Sequence, residues 1–116
     1  MKVMQIVSYV AAMNTDEAKV FYESILGLSL IMDHGWIKTC NSDVEMRVQI
    51  SVASEGGSGT TAPDQSIEVD DLDTVLDRMI AENIKIEYGP VSEPWGVHRF
   101  FVQDPFGKLI NVLMHE

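Results

Sequence analysis

Basic side chains are scarce in this chain of 116 residues. Lys and Arg number 8 against 18 Asp and Glu, a formal charge of −10. Such a balance repels polyanions, which argues against nucleic acid and anionic membrane surfaces as partners. It leaves solubility, or a cationic ligand, as what the charge serves. Cysteine is nearly absent as well. The single Cys40 excludes a disulfide within the chain and fits a reducing cytoplasm. No apolar run approaches ~18 residues, so no helical membrane span is expected. Met1 to Gln5 leads straight into strand-like sequence, without the pattern of a signal peptide. The expectation is a cytoplasmic protein.

What is present is ordinary globular material. Apolar residues make up 46% and charged residues 22%, which suits one compact domain over 1–116, or two very small halves sharing a core. Two amphipathic helices stand out. In the first, Asn14 can cap, with Glu17 three residues on, and Ala18, Phe21, Tyr22, Ile25 and Leu26 follow at helical spacing before Gly27. In the second, Asp70 or Asp71 can cap the stripe Leu72, Val75, Leu76, Met79 and Ile80, and Asn83 can stop it.

The flanks of these helices repeat. Strand-like Gln5–Val10 precedes the first helix and Ser66–Val69 the second. Leu28–Met32 and Ile84–Tyr88 follow them. Next comes a hairpin led by tryptophan: Trp36–Cys40 returning through Val44–Val52, and then residues 93 to 113. A Gly- and Ser-rich linker, residues 54 to 64, divides module one (about 1–53) from module two (about 65–116). The pattern is βαβββ twice. Each module would carry a helix on one face of its sheet only, so the two uncovered faces can curl around a hollow. Val44, Met46, Val48, Ile50 and Val52 alternate with Glu45, Arg47, Gln49 and Ser51. The apolar set is expected under a helix and the polar set in the hollow.

The second hairpin turns at Asp104-Pro105-Phe106-Gly107. With Gln103 opposite Lys108, Phe100 opposes Asn111 and Val102 opposes Leu109. If Asn111 faces the hollow, so do Phe100, Val102 and Leu109, with His98 and Leu113. That wall is apolar apart from one amide. Trp36 and Trp95 sit near strand starts, where a large ring either packs in the core or stacks on a flat ligand.

Phe21-Tyr22, Leu26-Gly27-Leu28, Val69-Asp70-Asp71-Leu72-Asp73, Pro94-Trp95-Gly96 and Asp104-Pro105-Phe106-Gly107, in this order, resemble the vicinal oxygen chelate superfamily. That group contains glyoxalase I, the bleomycin-resistance proteins and the extradiol dioxygenases. The resemblance covers nearly the whole chain. It implies an α+β fold of two tandem βαβββ modules around a U-shaped cavity, and frequently a homodimer. Its metal enzymes use His or Gln on one first strand, His on the other first strand and Glu on a final strand. Carried over, these positions fall on Gln5 or Val7, near Asp64, and on Asn111. Neutral amides and one carboxylate are a poor set for a transition metal, so no metal and no cofactor are expected.

The resemblance therefore implies a metal-free protein of the bleomycin-resistance kind. It would bind or sequester a small aromatic or cationic molecule, and its ligand would meet Gln5, Val7, Tyr9, Trp36, Glu45, Arg47, Gln49, Trp95, His98, Phe100, Val102, Leu109 and Asn111. The alternative is an enzyme of the same superfamily, a metal-dependent lyase or isomerase or a dioxygenase, or a metal-free one using His98 with Glu45 as an acid–base pair. His34 and His115 read as surface histidines, and Cys40 as a buried small residue without a basic partner.

Overall fold

The computed structural model describes residues 1–116. Its second half is a complete βαβββ unit: β3 (Gln65–Glu68), α1 (Leu72–Ala81), β4 (Ile86–Glu93), β5 (Val97–Gln103) and β6 (Leu109–His115). The four strands lie in the order β3-β6-β5-β4, with β3 parallel to β6 and the other pairs antiparallel. Asp71 starts α1. Its carboxylate accepts from the Thr74 N–H at 3.1 Å and the Thr74 hydroxyl at 2.6 Å. Asn83, in the left-handed region at φ 58°, ends it.

The first half is less complete. Asn14 caps a short turn, its side chain accepting from the Asp16 N–H at 3.0 Å. A wide-turned helical segment over Lys19–Ile25 follows, closed at Gly27. Then β1 (Ser29–Asp33) and β2 (Lys38–Asn41) pair as a two-stranded ribbon. The strands expected over Gln5–Val10 and Val44–Val52 are absent. Residues 1–13 and 42–55 make no backbone–backbone hydrogen bond, and a strand exists only where its N–H and C=O groups find a partner. Val44, Met46, Val48, Ile50 and Val52 are all exposed, not packed under a helix.

One core serves both halves. Phe21 and Ile25 of the first join Leu72, Val75 and Met79 of α1 and Phe100, Val102, Ile110 and Val112 of the sheet. Full burial of each such side chain contributes about 1.5–3 kcal/mol. Polar ties reinforce the junction. The Tyr22 hydroxyl donates to Asp104 Oδ2 at 2.5 Å, and Arg78 donates to the Ile25 carbonyl at 3.0 Å. Burial, together with the Asp104 carboxylate, pushes the Tyr22 hydroxyl far above its usual pKa.

The second hairpin is displaced by one residue from the expected register. Gln103 pairs with Leu109, Phe101 with Asn111 and Arg99 with Leu113. Gly107 is the cause. At φ 80° it follows the turn closed by its own N–H to the Asp104 carbonyl at 3.1 Å, and the ladder resumes between the Asp104 N–H and the Lys108 carbonyl at 2.8 Å. Asp104 Oδ1 fixes this loop by accepting from Phe106 and Lys108 N–H groups at 2.8 and 2.9 Å. A one-residue slip exchanges the faces of every side chain on a strand. Phe100 and Val102 are therefore fully buried against the helices, on the side of the sheet opposite Asn111. His98, which pairs with Ser92 and Met114, shares their strand parity.

Candidate functional site

The face of the sheet turned away from the helices is built from Tyr88 and Glu93 of β4, Arg99 and Phe101 of β5, Leu109, Asn111 and Leu113 of β6, and Ser66 of β3. Arg99 lies at its centre and is 3% exposed. Three rings surround the guanidinium carbon, with centroids 4.8 Å away at Phe101, 5.0 Å at Trp95 and 5.5 Å at Tyr88. Rings at this distance attract a cation through their electron-rich faces. The Pro94-Trp95-Gly96 turn between β4 and β5 presents Trp95 here, and Gly96 at φ 87° allows the turn to be tight.

Glu93 completes the box. Its carboxylate accepts hydrogen bonds from the Ser58 hydroxyl and from the Tyr88 hydroxyl, the latter at 2.5 Å, and lies 3.6 Å from Arg99 Nη2. The Ser58 bond, then the Tyr88 bond and the Arg99 charge, hold it below the usual carboxylate range. Part of the linker folds over the box as a strap. Arg99 Nη1 donates to the Gly56 carbonyl at 2.8 Å and Nη2 to the Gly57 carbonyl at 3.4 Å. Gly57, at φ 84°, lies so close to Trp95 that a Cβ there would stand 2.8 Å from the indole. Only glycine gives both that conformation and that approach.

Asn111 lies buried on the helix-free face. Its Nδ2 donates to the Ser66 hydroxyl at 3.0 Å, while Oδ1 is buried without a partner. Trp95 and Leu109 belong to the same region. The remaining expected contacts are not brought to it. Gln5, Val7, Glu45, Arg47 and Gln49 are exposed on segments outside any strand, and Trp36 is 78% exposed. Tyr9, with Ser8 and Val10, borders a separate cleft of about 300 Å³ shared with Asp64, Gln65 and Lys108. His98 lies in β5, with the strand parity of Phe100, and Glu45 is exposed on a segment outside any strand, so the acid–base pair expected of them is not formed. Sequence reasoning missed Arg99, Phe101, Tyr88 and Glu93. The signal that could have found them was Gly107, whose left-handed conformation adds the extra loop residue.

The residues at the superfamily's metal positions do not fit a transition metal. Gln5 and Asn111 offer neutral amides, and Asp64 Oδ2 accepts from the Leu109 N–H at 2.8 Å. No three His, Cys, Asp or Glu side chains gather into a possible metal cluster. Cys40 is half-buried, and that burial pushes its thiol up, with Glu23 adding to the effect, which disfavours a thiolate nucleophile. No helix is long and apolar enough to cross a membrane.

A family model described as Glyoxalase/Bleomycin resistance protein/Dioxygenase superfamily matches residues 4–112. Among curated proteins none matches significantly. Among solved structures the chain is similar to TnmS3, an antibiotic binding protein from Streptomyces sp. CB03234, with a TM-score of 0.67 and 20% identity over 97% of this chain and 99% of that one. It is equally similar to lactoylglutathione lyase from Agrobacterium tumefaciens, with a TM-score of 0.67 and 20% identity over 97% and 95% of the two chains. TioX from Micromonospora sp. ML1 follows with a TM-score of 0.63 and 21% identity over 97% and 96%. These likenesses carry the fold, α+β with two sheets. The family match spans nearly the whole length, and the chain belongs to the Glyoxalase/Bleomycin resistance protein/Dioxygenase superfamily.

Proposed function

We propose that this chain binds a small aromatic molecule against the helix-free face of β4, β5 and β6 and sequesters it without converting it. The observation that carries this reading is the set of three rings, Tyr88, Trp95 and Phe101, beside the buried amide of Asn111 on a face that no helix covers. Trp95, half-exposed at the edge of this set, would stack on a flat ligand, and burying one ligand ring contributes on the order of 2 kcal/mol. The amide would orient the ligand by donating or accepting. The likenesses to TnmS3, an antibiotic binding protein, and to lactoylglutathione lyase are equal in degree and are ones of fold, so the reading rests on the residues of this face.

A second copy of the chain belongs to the same proposal. The alternating stretch from Val44 to Val52 leaves five large apolar side chains exposed and its backbone without ladder partners. Pairing as a homodimer would satisfy both and could bring Glu45, Arg47 and Gln49 to the ligand. Native mass spectrometry tests the reading. The expected result is a dimer carrying a small aromatic molecule that is released unchanged on denaturation, with no stoichiometric transition metal by elemental analysis. A bound metal held by Gln5, Asp64 and Asn111, or steady conversion of the released compound by fresh protein, would contradict it.

A further inference from the structure

Arg99 is poorly satisfied for a buried cation, and the shortfall is directional. A guanidinium has five N–H donors. Nη1 has a close partner in the Gly56 carbonyl at 2.8 Å. Nη2 has only the Gly57 carbonyl at 3.4 Å and the Glu93 carboxylate at 3.6 Å. Nε is buried with no partner at all. Nε and Nη2 form one edge of the planar fork, the edge that takes both oxygens of a carboxylate side-on. The other buried side-chain atom without a partner is Asn111 Oδ1, an acceptor. Both residues lie on the same sheet face. Arg99 pairs with Leu113 and Asn111 with Phe101, so they are diagonal neighbours about 7–8 Å apart at Cα.

We infer that the ligand of the proposed binding site is an aromatic acid carrying a hydroxyl or N–H donor. Its carboxylate takes the Nε–Nη2 edge of Arg99, its donor meets Asn111 Oδ1, and its ring lies against the half-exposed indole of Trp95. This rests on the small-molecule reading above and fixes the sign of the ligand. A cationic ligand would have to share the aromatic box with the guanidinium that already fills it. Glu93 stays ionised 3.6 Å from Nη2, so the attraction for an acid comes from the unpartnered Nε and from the long contacts at Nη2 that a closer carboxylate would replace.

Entry requires the strap to move. The carbonyls of Gly56 and Gly57 stand at the guanidinium, and Gly57 rests on Trp95. At Nη2 the acid replaces the long Gly57 carbonyl contact with a hydrogen bond between two charged groups, so ligand and strap compete for Arg99 there. Removing the Ser58 hydroxyl, which ties the strap to Glu93, should therefore strengthen binding.

Calorimetric titration with four probes tests this: naphthoate, a hydroxynaphthoate, naphthamide and naphthylmethylammonium. The expected order is hydroxynaphthoate, naphthoate, naphthamide and then the ammonium, with about tenfold or more between acid and cation, in keeping with a charge-assisted pair. Asn111→Leu should erase the advantage of the hydroxyl, and Ser58→Ala should tighten the acid a few-fold. Arg99→Lys keeps the charge but loses the planar edge, and should lose most of the acid preference. Where that variant does not fold, the acid-to-cation ratio on the unaltered protein decides. An ammonium or amide that binds as tightly as the acid overturns this inference and leaves the small-molecule reading standing. Failure of all four probes to bind overturns both.

Discussion

The two halves of this chain carry nearly the same pattern of apolar and polar residues, yet only the second completes its sheet. Ser66–Val69 and the hairpin of residues 97–115 find partners in one another. Gln5–Val10 and Val44–Val52 alternate just as well and form no ladder. Alternation specifies which side chains share a face, and a strand further needs a neighbour whose carbonyls and amides are in reach. The completed half also holds the buried polar groups, Arg99, Glu93, Asp104 and Asn111. The open half has none, because a polar side chain can be buried only where a closed framework supplies its partners.

Stability measurements would break or sharpen that contrast. Phe100→Ala, in the shared core, should cost about 3–5 kcal/mol in urea unfolding. Val48→Ala, 60% exposed, should stay within about 0.5 kcal/mol at protein concentrations where the chain is monomeric. A Val48 penalty that grows with protein concentration would show that a second copy covers this stretch, and equal penalties at high dilution would remove the asymmetry. Tyr22→Phe should cost about 1–3 kcal/mol, since it strips a hydrogen bond from the buried Asp104 at the junction of the halves. Gly107→Ala should cost about 1–2 kcal/mol. Its Cβ would meet nothing within 4 Å, so the penalty is the left-handed backbone alone.

Acid should loosen the strap without opening the sheet beneath it. Hydrogen bonds from Ser58 and Tyr88, with Arg99 nearby, lower the folded-state value of Glu93. A lowered carboxylate stabilises fully above its unfolded value of about 4.3 and loses that contribution as pH falls through the folded value. Hydrogen exchange compared well above and well below that range should show the Gly56 and Thr60 amides, which bond across the strap, losing protection in acid before the β5–β6 ladder does. Equal loss in both places would mean that Glu93 does not anchor the strap.

Much of the fold was legible from single residues with local effects. Asp71 caps, Asn83 stops, and the stripe Leu72, Val75, Met79 buries, each through chemistry within one turn of helix. The candidate site was harder to read. Asn111 and Trp95 were visible as candidates, but a single left-handed glycine, Gly107, displaced the hairpin by one residue. That displacement puts Phe100 and Val102 in the core and Arg99 and Phe101 on the open face. The strap was hidden for another reason. Gly56 and Gly57 read as a flexible linker, and their carbonyls gain a role only once Arg99 lies beneath them.

One tryptophan sits in each half, which allows a direct test of where the ligand binds. Trp95 stacks beside Arg99, while Trp36 is largely exposed in the turn between β1 and β2. The decisive measurement is fluorescence titration with a hydroxynaphthoate on the variants Trp36→Phe and Trp95→Phe. The account predicts saturable quenching in Trp36→Phe, where Trp95 remains, and almost none in Trp95→Phe. Quenching that follows Trp36 instead, with Trp36→Phe silent, would place the ligand in the first half and contradict it.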